Sequence, residues 1–268
     1  MNSTPPATKV EDYTAILTLR GDDSLPRIIV GGQAVNIWAK RYCHTEPGLK
    51  AFLPFASKDL DLLGDTMDLH QIAAATGFKK VTARREPIIP SAGYLEMPLG
   101  AAGPVKIEIL KRMYGVTKEE ARQAALLIEQ RGLQLRVLHP ITLLTAKVEA
   151  AVHLPQDKPG QERQDVRHLQ MMVLCVRGFL REQIAETETG KLAVKDCLEL
   201  HQRVLKVLDS RAADQARRKF AINWLDIMPV ESLKASSELK LRNFVERRWN
   251  RWATSYGNRQ PNQLGVRL

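Results

Sequence analysis

The chain has 268 residues and carries 40 Lys plus Arg against 30 Asp plus Glu, a formal net charge of +10, at a length that admits one large domain or two modest ones. With 44% hydrophobic and 26% charged residues the composition is globular, which excludes a wholly disordered chain, and the longest strictly apolar run, 171–176, falls far short of the ~20 residues of a membrane span. The opening residues lack the basic and apolar regions of a secretory signal, and Cys43, Cys175 and Cys197 are too few and scattered for a disulfide framework or a C-x-x-C metal site; the expectation is a soluble, cytoplasmic protein with no membrane contact.

In chain order, residues 1–12 are rich in Ser, Thr and Pro and read as a disordered lead-in. An apolar strand pattern at 27–30 runs into Gly31-Gly32, and Ala34, Val35, Trp38 and Tyr42 then recur at helical spacing, predicting strand, glycine turn, helix. The 44–56 stretch, with Pro47, Gly48 and Pro54, reads as loop. A strand is predicted over 58–63, a helix over 68–76 stopped by Gly77, and strands over 79–85, 94–97 and 105–110. After Gly115 the texture changes. Thr117 with Glu120 resembles a capping box opening a helix to Gln130, and further helices are predicted at 140–153, 162–188, 191–208, 210–225 and 236–254. The expected organisation is α+β: the lead-in 1–12, a mixed-sheet domain with flanking helices over 13–116, and a helical C-terminal domain over 117–268.

Asp59 and Asp61 flank Leu60, and residues two apart in a strand project from one face. Such like charges repel unless a cation lies between them, and hard divalent ions, Mg²⁺ or Mn²⁺, take this oxygen environment. Glu108, alone on the otherwise apolar strand at 105–109 apart from Lys106, is the candidate third carboxylate. Gly31 and Gly32 would let a phosphate approach the N–H groups that open a helix. Together these parts suit phosphoryl or nucleotidyl transfer, chemistry that is mostly positioning and charge neutralisation. Each part has a plainer reading: a solvated D-x-D edge, an ordinary glycine turn, an exposed Glu108 beside Lys106. Their order along the chain favours the chemical one.

The last 35 residues hold eight basic and two acidic side chains, a pattern that attracts phosphate polymers or merely aids solubility. Arg247, Arg248 and Arg251, with Trp224, Trp249 and Trp252, are candidate contacts to single-stranded RNA, or pack a terminal helix. His44, His70, His139, His153, His168 and His201 show no zinc spacing and read as structural or surface residues.

Val30-Gly31-Gly32-Gln33-Ala34, then Ser57-Lys58-Asp59-Leu60-Asp61, then Ile107-Glu108-Ile109 resemble the DNA polymerase β-type nucleotidyltransferase superfamily, and within it the AbiEii-type toxins of abortive-infection and toxin–antitoxin systems. A later L-L-x-x-K-x-x-A helix pattern is matched by 143–150, with Lys147. Arg163-Gln164-Asp165-Val166-Arg167-His168-Leu169 stands where the family has R…K-D-h-x-D-h. The resemblance covers roughly 27–170. It departs in the 26 residues between Gly32 and Asp59, a longer stretch than the family's, with 44–56 as an insertion. Gln164 replaces the family's Lys and His168 its second Asp, leaving Arg163 or Arg167 to supply the charge.

The resemblance implies a nucleotidyltransferase-type sheet and transfer of NMP from an NTP to a hydroxyl, either an RNA (tRNA) 3′ end or a protein hydroxyl, in a toxin or phage-defence component with a cognate antitoxin or defence-complex partner. Asp59, Asp61 and Glu108 would hold the metal ions, Glu108 also serving as general base. Gly31, Gly32, Ser57, Lys58, Lys147 and Asp165 would contact the nucleotide. Two alternatives compete. An aminoglycoside-type small-molecule nucleotidyltransferase needs a polycationic acceptor, which a +10 chain disfavours. A non-catalytic nucleotide- or partner-binding subunit is what Gln164 and His168 would support.

Overall fold

The computed structural model describes residues 8–21, 23–83, 90–100, 103–158 and 161–258. In Asp59-Leu60-Asp61-Leu62 acids alternate with leucines, and a strand sorts such alternation onto two faces. Leu60 and Leu62 are buried on one side while both aspartates are half-buried on the other. This strand, β2 (Asp59–Leu63), occupies the middle of a seven-stranded mixed sheet with β1 (Ile28–Val30), β3 (Lys79–Thr82), β4 (Ser91–Pro98), β5 (Pro104–Leu110), β6 (Leu126–Gln130) and β7 (Leu133–Val137). The spatial order is β3-β4-β5-β2-β1-β7-β6. The β2–β5 and β1–β7 pairs are parallel and the others antiparallel.

The helices are α1 (Thr14–Leu17), α2 (Gly31–Tyr42), α3 (Thr66–Thr76), α4 (Lys118–Ala124), α5 (Pro140–His153), α6 (Asp165–Glu188), α7 (Val194–Leu208), α8 (Arg211–Phe220), α9 (Val230–Ala235), α10 (Leu239–Phe244) and α11 (Asn250–Asn258), with a π-helical turn, Val245–Trp249, between the last two. The α+β expectation therefore holds, and one apolar core runs from the sheet into the C-terminal helices. Among the described residues no helix is long and apolar enough to cross a membrane.

The expected change to pure helix near residue 116 does not occur. Thr117 caps α4 by accepting from the Glu120 N–H at 3.1 Å, but α4 stops at Ala124 and the chain forms the β6–β7 hairpin instead of continuing helical to Gln130. Arg131 and Gly132 link the strands at φ values of +51° and +75°, the left-handed pair that matches a tight hairpin to the twist of its strands. The sheet thus extends to Val137, which pairs with Ile29 of β1.

The lead-in also differs. Residues 1–7 lie outside the described residues, but the rest of the expected lead-in is structured: Thr8 exchanges backbone hydrogen bonds with Ser57 at 2.7 and 3.0 Å, and a 3₁₀ turn follows at Val10–Tyr13. The 44–56 stretch contains the 3₁₀ segment Pro47–Phe52. Buried Glu46 ties it to α6 through Arg177 at 2.5 Å and Arg181 at 2.9 Å. The strand expected over 79–85 ends at Thr82, and its last two positions lie outside the described residues.

Helices α2 and α6 run alongside each other in the same direction, joined by two glycine contacts. A Cβ on Gly32 would lie 2.9 Å from His168 Cε1, and one on Gly178 would lie 2.8 Å from Tyr42 Cγ. Gly178→Ala therefore tests the seam. Helix propensity alone would make it stabilising by about 0.8–1 kcal/mol. Forcing a methyl against the Tyr42 ring is expected to reverse the sign, with a net loss of about 1–3 kcal/mol, read as a lower midpoint in urea denaturation.

Candidate active site

A cleft of about 750 Å³ opens between the sheet and helices α5 and α6, a size suited to a small organic ligand. Its lining includes Gly31, Gly32, Ser57, Lys58, Asp59, Asp61, Glu108, Lys147 and Asp165. Every residue assigned above to metal or nucleotide thus meets the others here. Arg247, Arg248 and Arg251 do not; they are exposed on the π-helical turn and α11, outside this lining.

The sheet register builds the acidic wall. In the parallel β2–β5 pair Asp61 stands opposite Glu108 and Asp59 opposite Lys106, so the three carboxylates share a face. Lys106 turns its ammonium over the Tyr94 ring, 4.7 Å from the centroid. Burial, the negative charge of Asp59 and that of Glu108 push the Asp61 carboxyl well above the usual range, against the opposing pull of Lys147 and the Gly32 N–H. Burial raises Asp59 despite the Ser57 hydroxyl and the cations Lys147, Arg163 and Lys106. Burial likewise raises Glu108 despite a hydrogen bond from Ser91, with Asp59 adding to the rise.

The glycine turn has a close neighbour within the protein. Gly31 opens α2 at φ +63°, and a Cβ there would fall 1.7 Å from Asp61 Oδ2. The space that a bare backbone provides is filled by the aspartate, whose carboxylate accepts from the first turn of α2 through Gly32 N–H. A favourable helix-end charge thereby partly offsets the crowding of acids. Gly32 makes room for the Ser57 hydroxyl, 2.7 Å from a notional Cβ, and for His168. Ser57 is itself held by Thr8, whose hydroxyl donates to its carbonyl at 2.8 Å, while Gln33 of α2 donates to the Thr8 carbonyl at 3.1 Å.

Opposite the acids stands a cationic wall. Lys147 on α5 is buried and donates to Asp165 at 3.0 Å, and Arg163 donates to the other oxygen of Asp165 at 2.6 Å. Burial opposes ionisation of Asp165, but these two cations outweigh it and hold its carboxyl below the usual range. Arg163 lines the cleft beside Gln164. Arg167 instead donates to the Phe52 carbonyl and to Gln164 at 3.2 Å, so of the two arginines Arg163 is the one that lines the cleft.

Among the described residues no three acidic, histidine or cysteine side chains already converge as a metal cage. The donor set nevertheless fits a hard divalent ion: three carboxylates on one face, all with pKa values raised by burial, and with neighbouring carboxylates adding to the rise at Asp61 and Glu108.

Two features escaped the sequence. Met113 and Tyr114, in the turn after β5, line the cleft, and Tyr114 keeps 40% of its surface exposed; no spacing marks them. His168, read as structural, also lines it. The histidine expectation holds elsewhere: His139 caps α5 through Nδ1, with burial pushing its pKa down to about 3, and His201 bonds the Cys197 carbonyl at 2.8 Å. The tryptophans are occupied in packing. Trp224 is buried and donates to the Ala213 carbonyl at 3.0 Å, and Trp252 stacks between Trp249 and Tyr256 with centroids 5.0 Å from each.

No protein-family model matches the chain, and no curated protein matches it. Among solved structures it is similar to the Megavirus polyadenylate synthase, at 12% identity over 61% of this chain and 34% of that one, with a TM-score of 0.36. It is also similar to an antigenic nucleotidyltransferase-like protein from Paracoccidioides brasiliensis, at 13% identity over 70% and 94%, with a TM-score of 0.33. The chain spans about a third of the length of the viral synthase. What it can do is read from its cleft.

Ionising the three acids costs the free protein stability. A carboxyl whose folded pKa is raised carries no penalty below its unfolded value, near ~4, and the full penalty once pH exceeds the folded value. Asp61→Asn is therefore expected to raise the thermal midpoint of the free protein by about 3–8 °C at pH 8, with the gain shrinking toward zero as pH falls to ~4. Calorimetry across that range checks the sign.

Proposed function

We propose that the protein is a nucleotidyltransferase that moves NMP from an NTP to a hydroxyl acceptor. The observation that carries this reading is the opposition of two walls across one cleft: Asp59, Asp61 and Glu108 on the sheet, Lys147 and Arg163 bridged by Asp165 on the helical side. Asp59, Asp61 and Glu108 would hold Mg²⁺ or Mn²⁺, which when bound supplies counter-charge to the entering and leaving oxygens. Lys147 and Arg163 would face the triphosphate. Glu108, with its raised pKa, would accept the proton of the acceptor hydroxyl as its oxygen bonds to the α-phosphorus and pyrophosphate departs. Tyr114, partly exposed at the cleft, offers a ring on which a base can stack.

The acceptor in this reading is an RNA 3′ end. Its support is the +10 net charge and the exposure of Arg247, Arg248 and Arg251, which give sequence-independent attraction to phosphates. The AbiEii-type resemblance of the motifs adds a toxin or phage-defence role and a cognate antitoxin to the proposal.

The test is label transfer from each α-phosphate-labelled NTP, with Mg²⁺ or Mn²⁺, to total bacterial RNA and to the protein itself. Wild type is expected to label RNA, and Asp59→Ala/Asp61→Ala to lose at least about a hundredfold of that rate, as is Glu108→Gln if it removes the base. Label on protein alone would move the acceptor. No label above the double variant, with all four nucleotides and both metals, would overturn catalysis in favour of a nucleotide- or partner-binding subunit.

A further inference from the structure

His168 is 5% exposed on α6, three residues beyond Asp165, and lines the cleft. Among the described residues neither of its ring nitrogens has a hydrogen-bond partner. A buried polar atom left unmade costs the folded state, and natural proteins keep few of them without a use. Asn36 and His201 also carry orphaned atoms, but neither lines this cleft. The His168 ring lies over the first turn of α2, its Cε1 2.9 Å and its Nε2 3.5 Å from where a side chain on Gly32 would begin, and that same position is 2.7 Å from the Ser57 hydroxyl oxygen.

Several charged groups face the ring. Burial, with Lys147 from α5 and Arg167 from its own helix, holds the imidazole well below its usual pKa, and Asp165 opposes them. Asp165 is already engaged by Lys147 and Arg163. The ring is therefore neutral near pH 7, with one N–H to give. A helix N-terminus, a hydroxyl and two nearby cations make surroundings that favour an anion.

We infer that His168 is a nucleotide-binding residue that donates a ring N–H to a phosphate oxygen of the NTP held at the first turn of α2. The inference rests on the nucleotidyltransferase reading and deepens it. A neutral donor there adds a directed hydrogen bond without adding another cation beside Lys147, whose charge already needs Asp165 for balance. The family-like motif has an acid at this position, so the substitution that departs from the pattern gains a role in holding the substrate.

The test is equilibrium binding of ATP, GTP, CTP and UTP, and of the matching nucleosides, to wild type, His168→Leu, His168→Asn and His168→Gln, with the thermal midpoint of each free protein. Loss of a hydrogen bond to a charged group should weaken NTP binding by His168→Leu about tenfold or more and leave nucleoside binding unchanged. Asn reaches as Nδ1 does and Gln as Nε2 does, so one of them should stay within about threefold of wild type. His168→Leu removes two orphaned atoms and should raise the midpoint of the free protein. NTP affinity unchanged in His168→Leu, or equal losses for NTP and nucleoside, would overturn the inference. So would affinity lost in all three variants together with a lowered midpoint, the mark of a purely structural side chain. Failure of wild type to bind any NTP would instead overturn the nucleotidyltransferase reading itself.

Discussion

The Asp61 carboxylate lies directly over the backbone of Gly31, where even a methyl group would fall far inside van der Waals contact of its oxygen. This contact ties the middle strand of the sheet to the start of the helix beside it, and so fixes where the acidic face stands relative to the helix end. Val30, the last residue of β1, pairs with Asp61 across the sheet, so the strand register and the glycine act on the same atom group. The N-terminal segment completes the arrangement from outside, with Thr8 holding both Ser57 and Gln33.

Charge is distributed in the cleft so that each wall is incomplete by itself. The sheet side crowds three carboxylates that resist ionisation. The helical side carries two cations sharing one carboxylate, Asp165, whose ionisation burial opposes and these partners favour. Fixed charges and dipoles of this kind, held in place before a ligand arrives, are what electrostatic catalysis requires. The acids at the sheet centre are an expense of stability kept where chemistry would use it, a pattern common to functional sites.

Much of this was legible in the sequence because it is local. Alternation placed both aspartates on one face, and the lone Glu108 on an apolar strand announced itself. That Glu108 stands opposite Asp61 is a matter of strand pairing between residues far apart in sequence, which alternation does not specify. The glycine pair was recognised, but its protein neighbour, the Asp61 carboxylate, was not: a turn built for close approach does not say what approaches. The hairpin at β6–β7 was read as helix because Thr117 and Glu120 start one convincingly. The Arg131-Gly132 turn between alternating segments was the contrary signal. His168 could not be distinguished from a core histidine, since its orphaned nitrogens are a property of the packed neighbourhood and not of its spacing.

The seam between α2 and α6 has a consequence for how ligands enter. Its two glycine contacts, at Gly32 and Gly178, are separated by ten residues on each helix, about 15 Å of helix length. The upper contact lies at the cleft and the lower one far from it, so the sheet and the helical side are clamped at two points along a common spine. Opening the cleft like a jaw would have to break both contacts together. The spacing of the two walls along this seam is thereby set by packing already made in the free protein.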